Sequence, residues 1–186
     1  MTDKIKFYDY HPFIHAYHIE GIHSWLLQFK EDLINRFLDQ QAKANNIDHS
    51  FNVNIVNEVM RNTLADIFSF IVEEYYLVDE AYSMSNAFGV YVQNNERSDS
   101  FYHTHYRNTL AATLYIDPPV SGGELSIMEH EKNPIAIQPK KDYIYFFPGW
   151  LMHKPMPQQD TTYRVCINWT YACNTRAIHK LVGSKW

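Results

Sequence analysis

Hydrophobic and polar positions change their period once along this chain. Between residues 20 and 45, Ile22, Trp25, Leu26, Phe29, Leu33 and Phe37 recur at three- and four-residue spacing. That spacing lays them on one stripe of a helix. Val56, Val59, Met60, Leu64, Ile67, Phe68, Ile71, Val72 and Tyr75 form a second such stripe and predict a helix over 54–76. The segment NNIDHSFN between them reads as a loop. Ahead of both, residues 5–19 are rich in aromatic and β-favouring side chains but carry Pro12. Proline cannot donate to a sheet ladder, so this stretch reads as an edge strand or extended arm.

Beyond the second helix the period falls to two. Eight β runs follow, at 87–93, 100–105, 109–116, 123–128, 134–139, 142–148, 152–156 and 162–172. Turn chemistry separates them, including Pro118-Pro119, Gly122-Gly123, Lys140-Lys141 and Pro148-Gly149. Short strands punctuated in this way predict a sandwich or barrel, here a jelly roll with the helices packed on one face. The expected class is mostly β with N-terminal helices (α+β). Residues 1–186 read as a single domain, with the arm and two supporting helices in 1–80 and the barrel core in 87–172.

Length and composition bound this picture. A chain of 186 residues buries about two thirds of its unfolded surface without staples. With 16 basic and 21 acidic residues, a net of −5, nothing in the charge invites a polyanion, so no nucleic-acid partner is expected. Cys166 and Cys173 are too few for a disulfide framework and read as reduced core thiols. The first residues lack an apolar signal region and no window approaches the roughly 20 apolar residues of a membrane span. A soluble, cytoplasmic protein is the expectation. The helices over 20–76 have two uses open to them, backing the barrel or pairing two copies in a homodimer.

Ten histidines shift attention to chemistry. His11, His15, His18, His23, His49, His130 and His179 show no convergent spacing and read as surface or capping residues. His103 and His105 are different. Two imidazoles one residue apart on a strand point the same way, because side chains alternate faces. His153 follows 48 residues on (153 − 105), just past the Pro148-Gly149 turn. In an eight-stranded jelly roll the second and seventh strands are neighbours, so the three imidazoles can converge. Three protein ligands would leave open positions on a metal for substrate or dioxygen. Eleven residues further (164 − 153) stands Arg164, on the face of its strand that also carries Cys166 and Asn168. A guanidinium inside a barrel needs an anionic partner. That partner is either an internal acid, Glu124 or Asp142, or a small carboxylate ligand.

These residues resemble the 2-oxoglutarate and Fe(II)-dependent oxygenase superfamily, whose core is a double-stranded β-helix. His103 stands in place of the family's first histidine, His153 in place of the distal one, and Arg164 in place of the residue that pairs with the far carboxylate of 2-oxoglutarate. The segments TLYIDPPVSGGELSI and IQPKKDYIYFFPGWLMHKPMP are similar to the family's text around those ligands. The resemblance spans residues 87–172 and implies Fe(II), 2-oxoglutarate as cosubstrate, dioxygen, and a substrate it does not identify. It also places Tyr115 and Asn168 where side chains often hydrogen-bond the cosubstrate. Tyr106, Arg107, Gln93 and Trp150 are candidates for the substrate-facing rim.

One position departs from the pattern. The family's carboxylate ligand is replaced by His105, giving three histidines, with Asp99 or Glu124 as alternative carboxylate donors. Two rival readings stand beside the oxygenase. A cupin-like three-histidine metalloenzyme would dispense with 2-oxoglutarate, although Thr109 stands where its glutamate is expected. A non-catalytic barrel serving as a binding or assembly module would leave the histidines idle.

Overall fold

In a computed structural model, the described residues are 5–11, 13–44, 50–53, 57–76, 87–94, 101–105, 109–128, 133–157, 159 and 163–172. Two antiparallel sheets face one another. The larger sheet contains β1 (Ile5–His11), β2 (Ile14–Ile19), β3 (Ser50–Val53), β4 (Ala87–Asn94), β5 (Thr109–Tyr115), β8 (Tyr143–Pro148) and β10 (Tyr163–Ala172), in the order β1-β2-β8-β5-β10-β4-β3. The smaller contains β6 (Leu125–Met128), β7 (Ile135–Ile137) and β9 (Met152–Pro155), in the order β7-β6-β9. Period-two alternation then sorts the side chains of the large sheet onto two apolar layers.

The outer layer takes the helices. Val165, Ile167, Trp169 and Tyr171 of β10 pack with Leu110, Ala112 and Leu114 of β5 and Ile144 and Phe146 of β8. Against them lie α1 (Ile22–Leu27), α2 (Lys30–Ala44) and α3 (Glu58–Tyr76), through Leu26, Leu33, Phe37, Leu64, Phe68 and Ile71 among others. Phe68 stacks on Trp169 at 4.6 Å, and Phe146 meets the same indole edge-on at 5.8 Å. Each such pair contributes about 0.5–1.5 kcal/mol beyond its buried area. The inner layer, between the sheets, joins Ala111, Tyr145 and Phe147 to Leu125, Ile127, Ile137 and Leu151, with Phe13, Ile14 and Ala16 closing one side.

Several elements differ from the periodic reading. The first helix is two helices, because Gln28 and Phe29 form a turn between α1 and α2 in which the Phe29 N–H reaches only back to the Leu26 carbonyl, at 3.0 Å. The Gln28 amide nitrogen donates to the Trp25 carbonyl at 2.6 Å and caps the break. Helix α3 starts at Glu58, where the Asn57 side chain accepts the Met60 N–H at 3.0 Å, an N-cap. Residues 50–52, read as loop, join Val53 in an edge strand that pairs with β4. The arm is a hairpin whose second strand pairs with β8. Pro12 lies outside the described residues. The run at 100–105 is corrected as well: among its described residues only His103 makes a ladder contact, an isolated bridge to His153.

Two turns support the barrel's rim. Gly122 and Gly123 both take φ of 70°, a conformation glycine adopts without steric cost. Asp142 does the same at φ 65°. Its carbonyl and carboxylate accept the N–H groups of Ile19 and His23, each at 2.8 Å, and so tie β8 to the hairpin and to α1. His15, His18 and His23, read as surface or capping residues, are half-buried. Among the described residues no helix is long and apolar enough to cross a membrane.

Candidate metal centre

The His103 segment is held onto the small sheet without being a strand. His103 and His153 exchange both backbone hydrogen bonds at 3.0 Å. The Tyr102 hydroxyl meets Ser126 Oγ at 2.7 Å, and the Lys154 ammonium sits 4.8 Å from the Tyr102 ring centroid. The His105 N–H donates to the Gly149 carbonyl at 2.6 Å. These anchors bring three imidazoles together, with ring centroids 4.4 Å apart for His103 and His153, 5.1 Å for His105 and His153, and 5.5 Å for His103 and His105. One ring nitrogen from each lies within 4.8 Å of the others. Glu124 does not belong to this cluster, and Asp99 lies outside the described residues.

The three rings are graded in exposure: His103 is exposed, His105 half-buried and His153 buried. The His153 Nδ1 lies 2.9 Å from the Leu151 carbonyl. A carbonyl only accepts, so Nδ1 carries the proton and Nε2 keeps its lone pair, as a metal ligand requires. The Phe147 ring meets His153 at 4.6 Å. Burial lowers the His153 pKa to about 3, outweighing the rise from the Leu151 hydrogen bond, and the other two imidazoles push it further down. His105 is lowered by burial first and by His103 second. Neutral imidazole is the form that binds a metal.

Arg164 lies on the face of β10 opposite to the helix-packed Val165 and Ile167. It is 0% exposed, and its Nη1 donates to the Met156 carbonyl at 2.6 Å. Its Nε and Nη2 have no hydrogen-bond partner among the described residues. Among the described residues no carboxylate lies within ion-pair distance of it, and Asp142 is engaged by the His23 N–H instead. The alternative of an internal salt bridge therefore finds no support in the described residues. On the same face lie Cys166, whose register partner is Tyr115, and Asn168, opposite Thr113. Burial raises the Tyr115 pKa well above the ordinary phenol value, while Arg164 pulls it back down. The phenol therefore stays a hydrogen-bond donor. Asn168 accepts from the Thr113 hydroxyl at 3.0 Å. Burial likewise pushes the Cys166 thiol up, keeping it protonated.

Of the rim candidates, Trp150 is half-buried and meets Phe13 edge-on at 6.0 Å. Gln93 lies opposite Arg164 in the β10–β4 register. Tyr106, Arg107 and Cys173 lie outside the described residues. What the residue pattern missed are mostly backbone acceptors, the carbonyls of Gly149, Leu151 and Met156. Tyr102 was also missed, although its place beside His103 could have drawn attention to it.

No family model matches this sequence, and no curated protein matches it. Solved structures do match its fold. AviO1 from Streptomyces viridochromogenes superposes with a TM-score of 0.57 at 13% identity, covering 86% of this chain and 89% of that one. A prolyl-4-hydroxylase from Pseudomonas putida gives 0.52 at 12% identity over 82% and 88%. A putative oxygenase from Shewanella oneidensis gives 0.52 at 10% over 86% and 81%. The two facing sheets with helices on one side are the jelly-roll arrangement these proteins share with this chain, a double-stranded β-helix backed by helices.

Proposed function

We propose that the protein is a 2-oxoglutarate- and Fe(II)-dependent oxygenase that hydroxylates a substrate yet to be identified. One observation carries the reading: a wholly buried guanidinium, two of whose nitrogens have no hydrogen-bond partner among the described residues, stands in the same barrel as three imidazoles whose ring nitrogens lie within 4.8 Å of one another. A buried cation without a partner costs several kcal/mol, and a ligand carboxylate meeting the Arg164 fork would offset that cost. A metal-only enzyme, or a barrel used purely for assembly, has no use for such a group.

The donor set fits the proposed cofactor. Imidazole suits iron, as it does copper, zinc and nickel, and His103, His105 and His153 would hold the ion through one ring nitrogen each. Fe(II), when bound, supplies the activation of dioxygen that couples decarboxylation of 2-oxoglutarate to oxidation of a substrate C–H bond. The chain's own part is binding and orientation. Arg164 takes the far carboxylate of the cosubstrate in a bidentate fork. Tyr115, kept protonated by burial, donates to the same carboxylate. Asn168, held by Thr113, borders the cosubstrate's chain. Phe147, Leu151 and Tyr145 keep water from the inner face. That the neighbouring solved structures include a prolyl-4-hydroxylase and a putative oxygenase supports this reading.

The test is anaerobic reconstitution. Fe(II) and 2-oxoglutarate together should produce a weak visible charge-transfer band that neither produces alone. Absence of the band, with 2-oxoglutarate binding unchanged in Arg164→Ala, would sink the proposal. Activity, if present, would consume dioxygen and release succinate and carbon dioxide.

A further inference from the structure

Resting on the metal-centre reading above, we infer that Phe13 and Trp150 are positioning residues, and that the N-terminal hairpin is part of what holds the metal ligands in place. The turn at 148–151 contacts two of the three histidines through its own carbonyls. Gly149 accepts the His105 backbone N–H at 2.6 Å, and Leu151 accepts the His153 Nδ1 proton at 2.9 Å. The turn is itself closed by Leu151 N–H to the Pro148 carbonyl at 3.0 Å and fixed to β5 by Gly149 N–H to the Thr109 carbonyl at 2.7 Å. A displacement of this turn therefore moves one ligand's backbone and rotates another ligand's ring.

Between those two carbonyls stands Trp150. Its indole meets Phe13 edge-on, with centroids 6.0 Å apart and planes at 74°. Phe13 is buried at the tip of the hairpin, in one apolar cluster with Phe147 and Leu151. The same hairpin pairs through β2 with β8, the strand that runs into the turn. The turn is thus held by hydrogen bonds on the strand side and by an aromatic contact on the other. Groups that orient a ligand from outside the coordination sphere change metal affinity by about 10–100-fold when removed. Phe13, 140 positions before His153 (153 − 13), acts through Trp150 and not by touching the ion.

The experiment titrates full-length protein with Co(II), anaerobically, and follows the visible ligand-field bands. These report affinity and coordination geometry without any turnover. Phe13→Ala and Trp150→Ala should each bind Co(II) at least tenfold more weakly and shift the bands, while Trp150→Phe and Phe13→Leu restore most of the affinity. Leu64→Ala, which opens a cavity in the helix-packed layer, should lower the melting temperature but leave the affinity within about twofold. If wild-type protein binds Co(II) no better than His153→Ala, the metal reading itself fails. If wild type binds and His153→Ala does not, yet the Phe13 and Trp150 variants match wild type, the metal reading stands and the positioning role is refuted. An equal loss of affinity in Leu64→Ala would also refute it, since the effect would then be general loosening. If the alanine variants do not fold, Phe13→Leu and Trp150→Phe decide the matter: a small but measurable shift of the bands and weakening of Co(II) binding is expected, and bands and affinity identical to wild type would refute the positioning role.

Discussion

Replacing Arg164 with methionine should make the ligand-free protein more stable and, at the same time, unable to respond to its ligand. The guanidinium is wholly buried and, among the described residues, has one hydrogen bond, to the Met156 carbonyl, and two unpartnered nitrogens. Leaving a buried charge uncompensated costs about 3–5 kcal/mol, whereas the one charged hydrogen bond returns about 1.5–3 kcal/mol. Methionine fills a similar volume without the charge, so Arg164→Met should gain about 1–2 kcal/mol. At roughly 2–4 °C per kcal/mol for a domain of this size, the melting temperature should rise by about 2–8 °C. The wild type behaves in the opposite way with ligand. At a hundredfold excess over Kd, 2-oxoglutarate should stabilise it by about 2.7 kcal/mol, and Arg164→Met should show no such shift. The assay is an anaerobic thermal melt of both proteins with metal, with and without 2-oxoglutarate. A variant that melts lower than wild type without ligand and shifts equally with it would refute the reasoning, because Arg164 would then be an ordinary structural residue.

Other outcomes follow from the same geometry. Tyr115→Phe should weaken 2-oxoglutarate binding by about 10–100-fold, the loss of one charge-assisted hydrogen bond, while leaving metal affinity unchanged by calorimetry. His105→Ala should cost at least tenfold in metal affinity, and His105→Asp, which restores a carboxylate at that position, should recover it. Phe68→Ala removes the ring stacked on Trp169 and should destabilise the fold by about 3–5 kcal/mol in denaturant titrations without altering metal affinity. The metal-free protein should lose stability in acid: burial holds folded His153 to a pKa of about 3, so between pH 6.5 and 3 the unfolded chain binds a proton that the folded one rejects. This contribution is intact above pH 6.5 and falls by about 1.4 kcal/mol per pH unit below it. Denaturant midpoints that stay flat from pH 7 to 4 would contradict it.

The residues that were legible in the sequence are those whose identity and local period carry the information. The stripe from Ile22 to Phe37 and that from Met60 to Val72 mark the helix-facing layer, the ring nitrogens of His103, His105 and His153 come within 4.8 Å of one another, and Arg164 is wholly buried. What stayed hidden depends on partners distant in sequence or on backbone atoms. The pairing of β2 with β8 joins residues more than a hundred apart, and no local pattern states it. The break at Gln28 and Phe29 follows a side-chain cap that overrides an unbroken apolar stripe. The segment at 101–105 alternates like a strand, yet its described residues meet β9 at a single bridge. The convergence of its histidines comes from the Gly149 carbonyl and Tyr102 as much as from period two.

The graded exposure of the three imidazoles bears on how an ion comes and goes. His103 faces solvent while His153 is buried against Phe147, so an arriving ion would meet His103 first and would shed its waters as the inner rings replaced them. Departure would retrace that path, so the bond to His103 would be the last to break. Exchange kinetics are therefore set at the outermost ring and equilibrium affinity at the innermost. Chelators should strip the ion faster from His103→Ala by opening the gate, whereas His153→Ala should leave little to strip.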